Sequence, residues 1–343
     1  MPVLLGNSDQ GEKVFAVELC NCKGDSARIL TLGAILQNLN ITTNRQGHIN
    51  TVLGYENWEE YLRDTVWMGA TAGRYCNRIA NGKLSIGASE FQLERNQGDH
   101  HLHGGSEGFH RRVWTIEQRE QNALTLVLHS KDGDQGYPGN LDVRLRYHLK
   151  DDSSLNITWR AHTDRDTVVS ITNHSYFNLA GAGSISNHQL KISAENYTPT
   201  GPFQIPTGDI LPVAGTCLDF RQARPLVTVL ESADPLIASC NGLDHNWARG
   251  EASELQSAAQ LYCPETGLLL DLQSTLPGLQ CYTGNHLADH GLHASHSGIA
   301  LEPQYYPDSP NQHQFPSPIL RAGETRQHEI QFCFSEKEMA ETS

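Results

Sequence analysis

The sequence predicts an all-β fold, a large antiparallel β-sandwich with few short helices, and three observations predict it. Apolar and polar residues alternate at period two through many short runs, as in Leu141-Asp-Val-Arg-Leu-Arg-Tyr-His148. That period turns one side of a strand toward a core. Helical periodicity is almost absent, and Gly- and Pro-rich turns separate the alternating runs.

Taken in order, residues 13–20, 27–32 and 33–41 read as the first strands. Residues 57–63 read as one short helix with Asn57 as its N-cap. Asn81-Gly82 is a hairpin signal between two strand-like runs. Residues 90–93, 113–117, 124–129, 141–148 and 155–159 follow as strands, with a long turn over 133–139. The second half repeats the style at 167–172, 189–192, 258–262, 268–272 and 328–334. Before the last of these, Ile299-Ala-Leu301 forms a short apolar strand that meets a carboxylate at Glu302. Pro303, Pro307 and Pro310 follow, so the strand is expected to end there, with Tyr305 and Tyr306 beside the carboxylate. No linker or low-complexity run divides the chain. One domain is expected over residues 1–335, with 336–343 a polar tail.

The formal net charge is -14, which excludes a basic nucleic-acid surface. No apolar run is long enough to span a bilayer, and the N-terminal residues do not read as a secretory signal. The eight cysteines are scattered without a C-x-x-C pair, so buried free thiols in a reducing cytoplasm are expected.

Several stretches concentrate chemistry. Gly98-Asp-His-His-Leu-His103-Gly-Gly105 holds imidazoles near a glycine turn, but no Cys or Glu nearby completes a metal set, and none is expected. Ser170-Ile-Thr-Asn-His174-Ser-Tyr176 ends an apolar run in four hydrogen-bonding side chains, costly to bury without partners and therefore suggestive of a polar pocket. Asn241-Gly-Leu-Asp244-His-Asn-Trp247 and Pro277-Gly-Leu-Gln280-Cys-Tyr282 set amide or carboxylate groups beside aromatic rings, a way to bind sugars. Gly73-Arg-Tyr-Cys-Asn77-Arg78 adds two arginines. A histidine set at 286, 290, 293 and 296 reads as a solvated loop. Glu302, in apolar surroundings, has the raised pKa of a usable acid or base. For each residue alone, a satisfied structural side chain or a turn remains an equal or better account.

The motifs together, in this order, resemble the aldose 1-epimerase, or galactose mutarotase, family. They are Gly73-Arg-x-x-Asn-Arg-Ile79, Leu102-His-Gly-Gly105, Gly133-Asp-Gln-Gly-x-Pro-Gly139, Asn173-His-Ser-Tyr-Phe-Asn-Leu179, Asp219-Phe-Arg221, Leu243-Asp-His-Asn246, Leu301-Glu-x-Gln304 and Pro307-Asp-Ser-Pro-Asn311. The resemblance implies the galactose mutarotase-like supersandwich and a mutarotase that interconverts anomers of galactose or glucose without metal or cofactor. By motif, Glu302 resembles the general base, His174 the general acid and His103 an assisting histidine. Asn77, Arg78, Asp244 and Gln280 resemble sugar-binding residues, and Ser175 and Tyr176 flank the acid. Acid and base are expected on opposite sides of the C1–O5 unit, with the His174 pKa near working pH. Cys76 and Pro303 depart from the family pattern, and Gln304 is given no role. A free sugar, a monomer or homodimer and a cytoplasmic location are expected. A hexose-6-phosphate epimerase, a non-catalytic sugar-binding sandwich and an inverting glycosidase using Asp244 are the competing readings.

Overall fold

The computed structural model describes residues 1–290 and 293–337, with only the backbone at residue 290. Three sheets, antiparallel throughout, carry most of the strand residues. The first is a five-stranded meander of Val3–Asn7, Lys13–Cys20, Ser26–Leu30, Ile35–Thr43 and Gly47–Asn50. The second has nine strands. It begins Thr115–Arg119, Ala123–Ser130, Leu141–Leu149, Ser154–Thr163, and continues through Thr325–Glu336 to Leu268–Ser274, Gln256–Tyr262, Gln189–Ile192 and Arg224–Pro225. The third has six, in the order Tyr176–Phe177, Ile299–Gln304, Gly278–Tyr282, Asp244–Ala248, Asn196–Thr198 and Leu211–Pro212.

The alternation read in the sequence is the alternation of burial. Leu141, Val143, Leu145, Tyr147 and Leu149 are buried, while Asp142 and Arg144 between them are exposed. Leu36 from the first sheet, Trp159 and Phe332 from the second, and Leu279 and Leu301 from the third belong to one apolar cluster. Burying these inward faces against one another is what makes a layered β fold stable. The α-helical segments are single turns, Val227–Leu230 and Pro235–Ala238.

Four local expectations need correction. Residues 58–63 form a 3₁₀ helix, and Asn57 makes no capping hydrogen bond. Asn81-Gly82 is a turn, with Asn81 at φ 54, but joins no hairpin: Arg78–Ile79 pairs with His101–Leu102 and Lys83–Ile86 with Ser89–Gln92. Glu336 belongs to the final strand, where its carboxylate accepts the backbone and side-chain N–H groups of Asn44; the rest of the expected tail, beyond Lys337, lies outside the described residues.

The fourth concerns Glu302, which is not at a strand end. The strand runs on through Pro303 to Gln304, paired with Gly278–Tyr282. The next residue but one explains the tolerance. Tyr305 sends its N–H to Ser170 Oγ, away from that partner strand. Backbone direction alternates along a strand, so the Pro303 nitrogen faces the same side, where no ladder bond is lost. Its ring stands on the apolar side of the sheet with Leu279 and Trp247.

Candidate active site

Register builds the floor of the site. Asn246 lies opposite Gln280, and Gln280 opposite Glu302, so three polar side chains from three strands form one row on one side of the sheet. Asp244 and Tyr282 form the next row. Gln280 donates its Nε2–H to Asp244 Oδ1 at 2.6 Å, which orients both over the floor.

Loops supply the walls. His103 has φ 49 and Asn77 φ 65, both left-handed. They clamp each other: the His103 N–H bonds the Asn77 carbonyl, and the Asn77 N–H bonds His103 Nδ1, each at 3.1 Å. Gly104 follows at φ +89, and a Cβ there would strike the carbonyl oxygen of Gly73; only glycine lets this turn pack so closely. Arg78 is held by its Nε–H to Gln97 Oε1 at 2.8 Å. Its strand is anchored by Asp308, which receives the Ala80 N–H and sends its own N–H to the Arg78 carbonyl.

The cavity these elements enclose measures about 300 Å³. Asn77, Arg78, His103, His174, Tyr176, Asp244, Gln280 and Glu302 all line it. Ser175 does not belong with them. Its hydroxyl donates to Asn173 Oδ1 at 2.6 Å, because consecutive residues point to opposite sides. Trp247 is buried, with its indole N–H on the Leu218 carbonyl. Tyr305 and Tyr306 do not surround Glu302 either; their rings pack on His328 and Phe315. Arg74 is fully engaged elsewhere, donating to Ser130 Oγ and to the carbonyls of Ser130, Lys131, Pro138 and Gly139.

Tyr282, the ring read beside Gln280, lines the cavity too, and Trp67, Gln97, Gln204 and His286, to which sequence reasoning gave no place in the site, join it. Trp67, at φ 54, sets its ring 4.6 Å from His103 and 6.3 Å from His174. Of the histidine-rich loop, His286 reaches the rim, His293 stacks on Tyr55 and His296 bonds the Asn241 carbonyl. The His290 side chain lies outside the described residues.

Glu302 Oε1 stands 3.6 Å from His174 Nε2, and both side chains are at most 5% exposed. They are neighbours, not groups facing each other across a gap. Burial pushes the Glu302 carboxyl well above the usual range, Asp244 adds to the shift, and Arg78 opposes it. Burial lowers the His174 pKa to about 4, so the expected value near working pH is replaced by a neutral imidazole. His103 is pushed well below its ordinary value, first by burial and then by His174.

His103, His174 and Glu302 bring potential ligand atoms within 4.8 Å of one another, although their sequence spacing held no metal signature. His103 does not fit a cation. Its Nδ1 accepts the Asn77 N–H, so the neutral ring carries its proton on Nε2. That leaves it a donor into the cavity and no free lone pair for a metal.

Comparison with known proteins gives the family. The family model for aldose 1-epimerase matches residues 16–333. The chain is 39% identical to galactose mutarotase from Mus musculus over 318 residues, covering 90% of this chain and 91% of that one. It is 36% identical to aldose 1-epimerase from Escherichia coli (strain K12) over 325 residues, 92% and 93% of the two chains. The crystal structure of galactose 1-epimerase from Lactobacillus acidophilus NCFM superposes with a TM-score of 0.87 at 28% identity, covering 98% of this chain and 99% of that one. An aldose epimerase homologue from C. elegans gives 0.87 at 26% identity, covering 94% and 99%. The chain therefore belongs to the aldose 1-epimerase family of isomerases.

Proposed function

We propose that this enzyme interconverts the α and β anomers of free aldohexoses such as galactose and glucose by opening and reclosing the hemiacetal ring. The observation that carries the reading is the buried contact of Glu302 Oε1 with His174 Nε2 at 3.6 Å. The hydroxyl oxygen and ring oxygen of an anomeric carbon are bonded to the same atom. A base for one and an acid for the other must therefore stand side by side.

Burial disfavours both ions, so the resting pair holds one proton, as a Glu302 carboxyl beside neutral His174. With a ring-closed sugar bound, that proton lies on His174 and Glu302 is a carboxylate. Glu302 takes the C1 hydroxyl proton, the C1–O5 bond breaks as the carbonyl forms, and His174 gives its proton to O5. The aldehyde rotates about C1–C2, and closure on the other face reverses each transfer. The pair ends with the one proton it began with. His103 donates its Nε2–H to O5 or a neighbouring hydroxyl. Asn77, Arg78, Asp244 and Gln280 hold the other hydroxyls so that only C1 turns. Tyr176 packs its ring 5.0 Å from His174 and ties its hydroxyl to the Val66 carbonyl, which supports the acid.

A phosphorylated sugar is less well served. Among the described residues lining the cavity, Arg78 is the one Lys or Arg, and a phosphate wants several cations. All eight cysteines are free thiols, which suits the cytoplasmic location we assign, and among the described residues no helix is long and apolar enough to cross a membrane. We take residues 1–335 to act as one unit. Polarimetry on freshly dissolved α-D-galactose is the test. Equilibration well above the buffer rate is expected; no acceleration would leave a sugar-binding role. Running glucose, galactose and glucose 6-phosphate side by side decides the substrate class, with the free sugars expected to be the faster.

A further inference from the structure

A chain of buried polar groups runs behind the cavity and ends on an atom without a partner. Tyr305 donates its N–H to Ser170 Oγ at 3.1 Å, which leaves the Ser170 proton free for Cys76 Sγ, also at 3.1 Å. Cys76 in turn donates its S–H to Gln304 Oε1 at 3.5 Å. With the Cys76 S–H on Gln304 Oε1, Sγ is left to accept from Ser170, and the amide turns its oxygen toward Cys76 and its NH₂ away from it. Gln304 is fully buried, and its Nε2 has no protein partner. Glu302 stands two residues earlier on the same side of the strand, about 7 Å away along the backbone. Its Oε2 is likewise buried and unpartnered. Gly278, opposite Gln304, lets Asn246 Oδ1 and the Tyr306 ring close in, since a Cβ there would stand 2.7 and 2.8 Å from them.

We propose that Gln304 is a positioning residue for Glu302: its amide, oriented by Ser170 and Cys76, presents N–H toward the carboxylate and reaches it through one water. The proposal rests on the epimerase reading above and deepens it. A buried base is driven toward its neutral form, and a donor aimed at the carboxylate opposes that drift. Asn246 Oδ1 and Gln280 Oε1 are the other buried acceptors without a partner on this side of the sheet. The ionised carboxylate is the strongest acceptor of the three.

The test reads Glu302 directly. Protein labelled with ¹³C at the glutamate carboxyl is titrated by NMR, and the Glu302 signal is identified by its loss in Glu302→Gln. The other groups that act on Glu302 are His174, His103, Asp244, Arg78, Tyr176, Cys76 and Cys281. Of these only Cys76 is itself altered, and only in the Cys76 variants. Gln304→Met keeps the length and removes the N–H. The Glu302 midpoint should rise by about one pH unit, the alkaline limb of the rate profile should move up with it, and kcat should fall more than KM changes. Cys76→Ala should move the midpoint the same way by less, and Cys76→Ser, which keeps a donor for Gln304 Oε1, should restore it.

An unmoved Glu302 midpoint in folded Gln304→Met would overturn the proposal, as would a rate loss in Cys76→Ala that Cys76→Ser fails to rescue. If Gln304→Met does not fold, the two Cys76 variants decide alone. If the unaltered enzyme fails to equilibrate any sugar, the epimerase reading falls, while the carboxyl titration still decides whether Gln304 serves Glu302.

Discussion

The shared proton of Glu302 and His174 makes a prediction that two independent catalytic groups would not. Glu302→Gln and His174→Gln each remove one end of a single transfer path. General acid or base catalysis is worth about 10²–10⁴ in rate, so each single variant should lose about 10³, close to 4 kcal/mol of transition-state stabilisation. Independent losses would add to about 8 kcal/mol and a rate lower by about 10⁶. The side chains stand 3.6 Å apart, and neither has a second buried ionic partner within salt-bridge reach among the described residues. Once one is gone, the other has no proton to exchange, and the second substitution costs little more. The double variant should therefore match the slower single within a few-fold, a coupling of about 4 kcal/mol. The assay is kcat/KM by polarimetry on α-D-galactose with the buffer rate subtracted, and circular dichroism to confirm the fold. A double variant about 10³ slower than either single would refute the shared proton. A single variant with full rate would remove that residue from the mechanism.

Other expectations follow from the same buried groups. The rate profile should be bell-shaped, with an acid limb near pH 4 where His174 takes a second proton and an alkaline limb above the ordinary carboxylate range where the pair loses its only one; a flat profile across neutral and alkaline pH would count against this. Burial lowers His101, His174, His188 and His328 to about 4. Their stabilising contribution is complete above the unfolded value near 6.5 and is lost as pH falls toward 4, at about 1.4 kcal/mol per histidine per pH unit. Four together reach about 5 kcal/mol per pH unit near pH 5; His103, His110 and His245, also lowered by burial, add to this, while Glu302 and Asp308, raised by burial, act in the opposite sense. The Tm should fall steeply from pH 6 to 4.5, and less steeply in His188→Gln; a level Tm would contradict the account. Arg74→Met takes the guanidinium from four carbonyls beneath the 133–139 turn, of which that of Lys131 keeps the Asp134 N–H, and should cost about 3 kcal/mol, read by denaturant titration. Arg74→Lys should recover little, because an ammonium cannot span them all.

Much of the fold was legible because it is local. Burial of one side of a strand demands period two, and residues 141–149 carry it openly. The candidate residues were legible through motifs, since Gly104 and the polar run from Asn173 to Tyr176 have shapes that few other chains need. Reach, direction and charge state were not legible. The row of Asn246, Gln280 and Glu302 exists only because three distant segments pair in one register. Gln97 and Gln204 arrive in the cavity from loops with no local mark. Ser175, adjacent in sequence to His174, turns its hydroxyl away to Asn173. Pro303, which reads as a strand terminator, is accommodated inside a strand because its missing N–H faces the unladdered side. The pKa values of Glu302 and His174 moved apart from their ordinary ranges through burial, a property of the assembled sheets and of no segment alone. Sequence by itself determined the strands, their inward residues and the set of polar groups; tertiary structure decided which of those groups touch, which way each points, and how many protons they share, because all three depend on pairing and desolvation that only the folded chain creates.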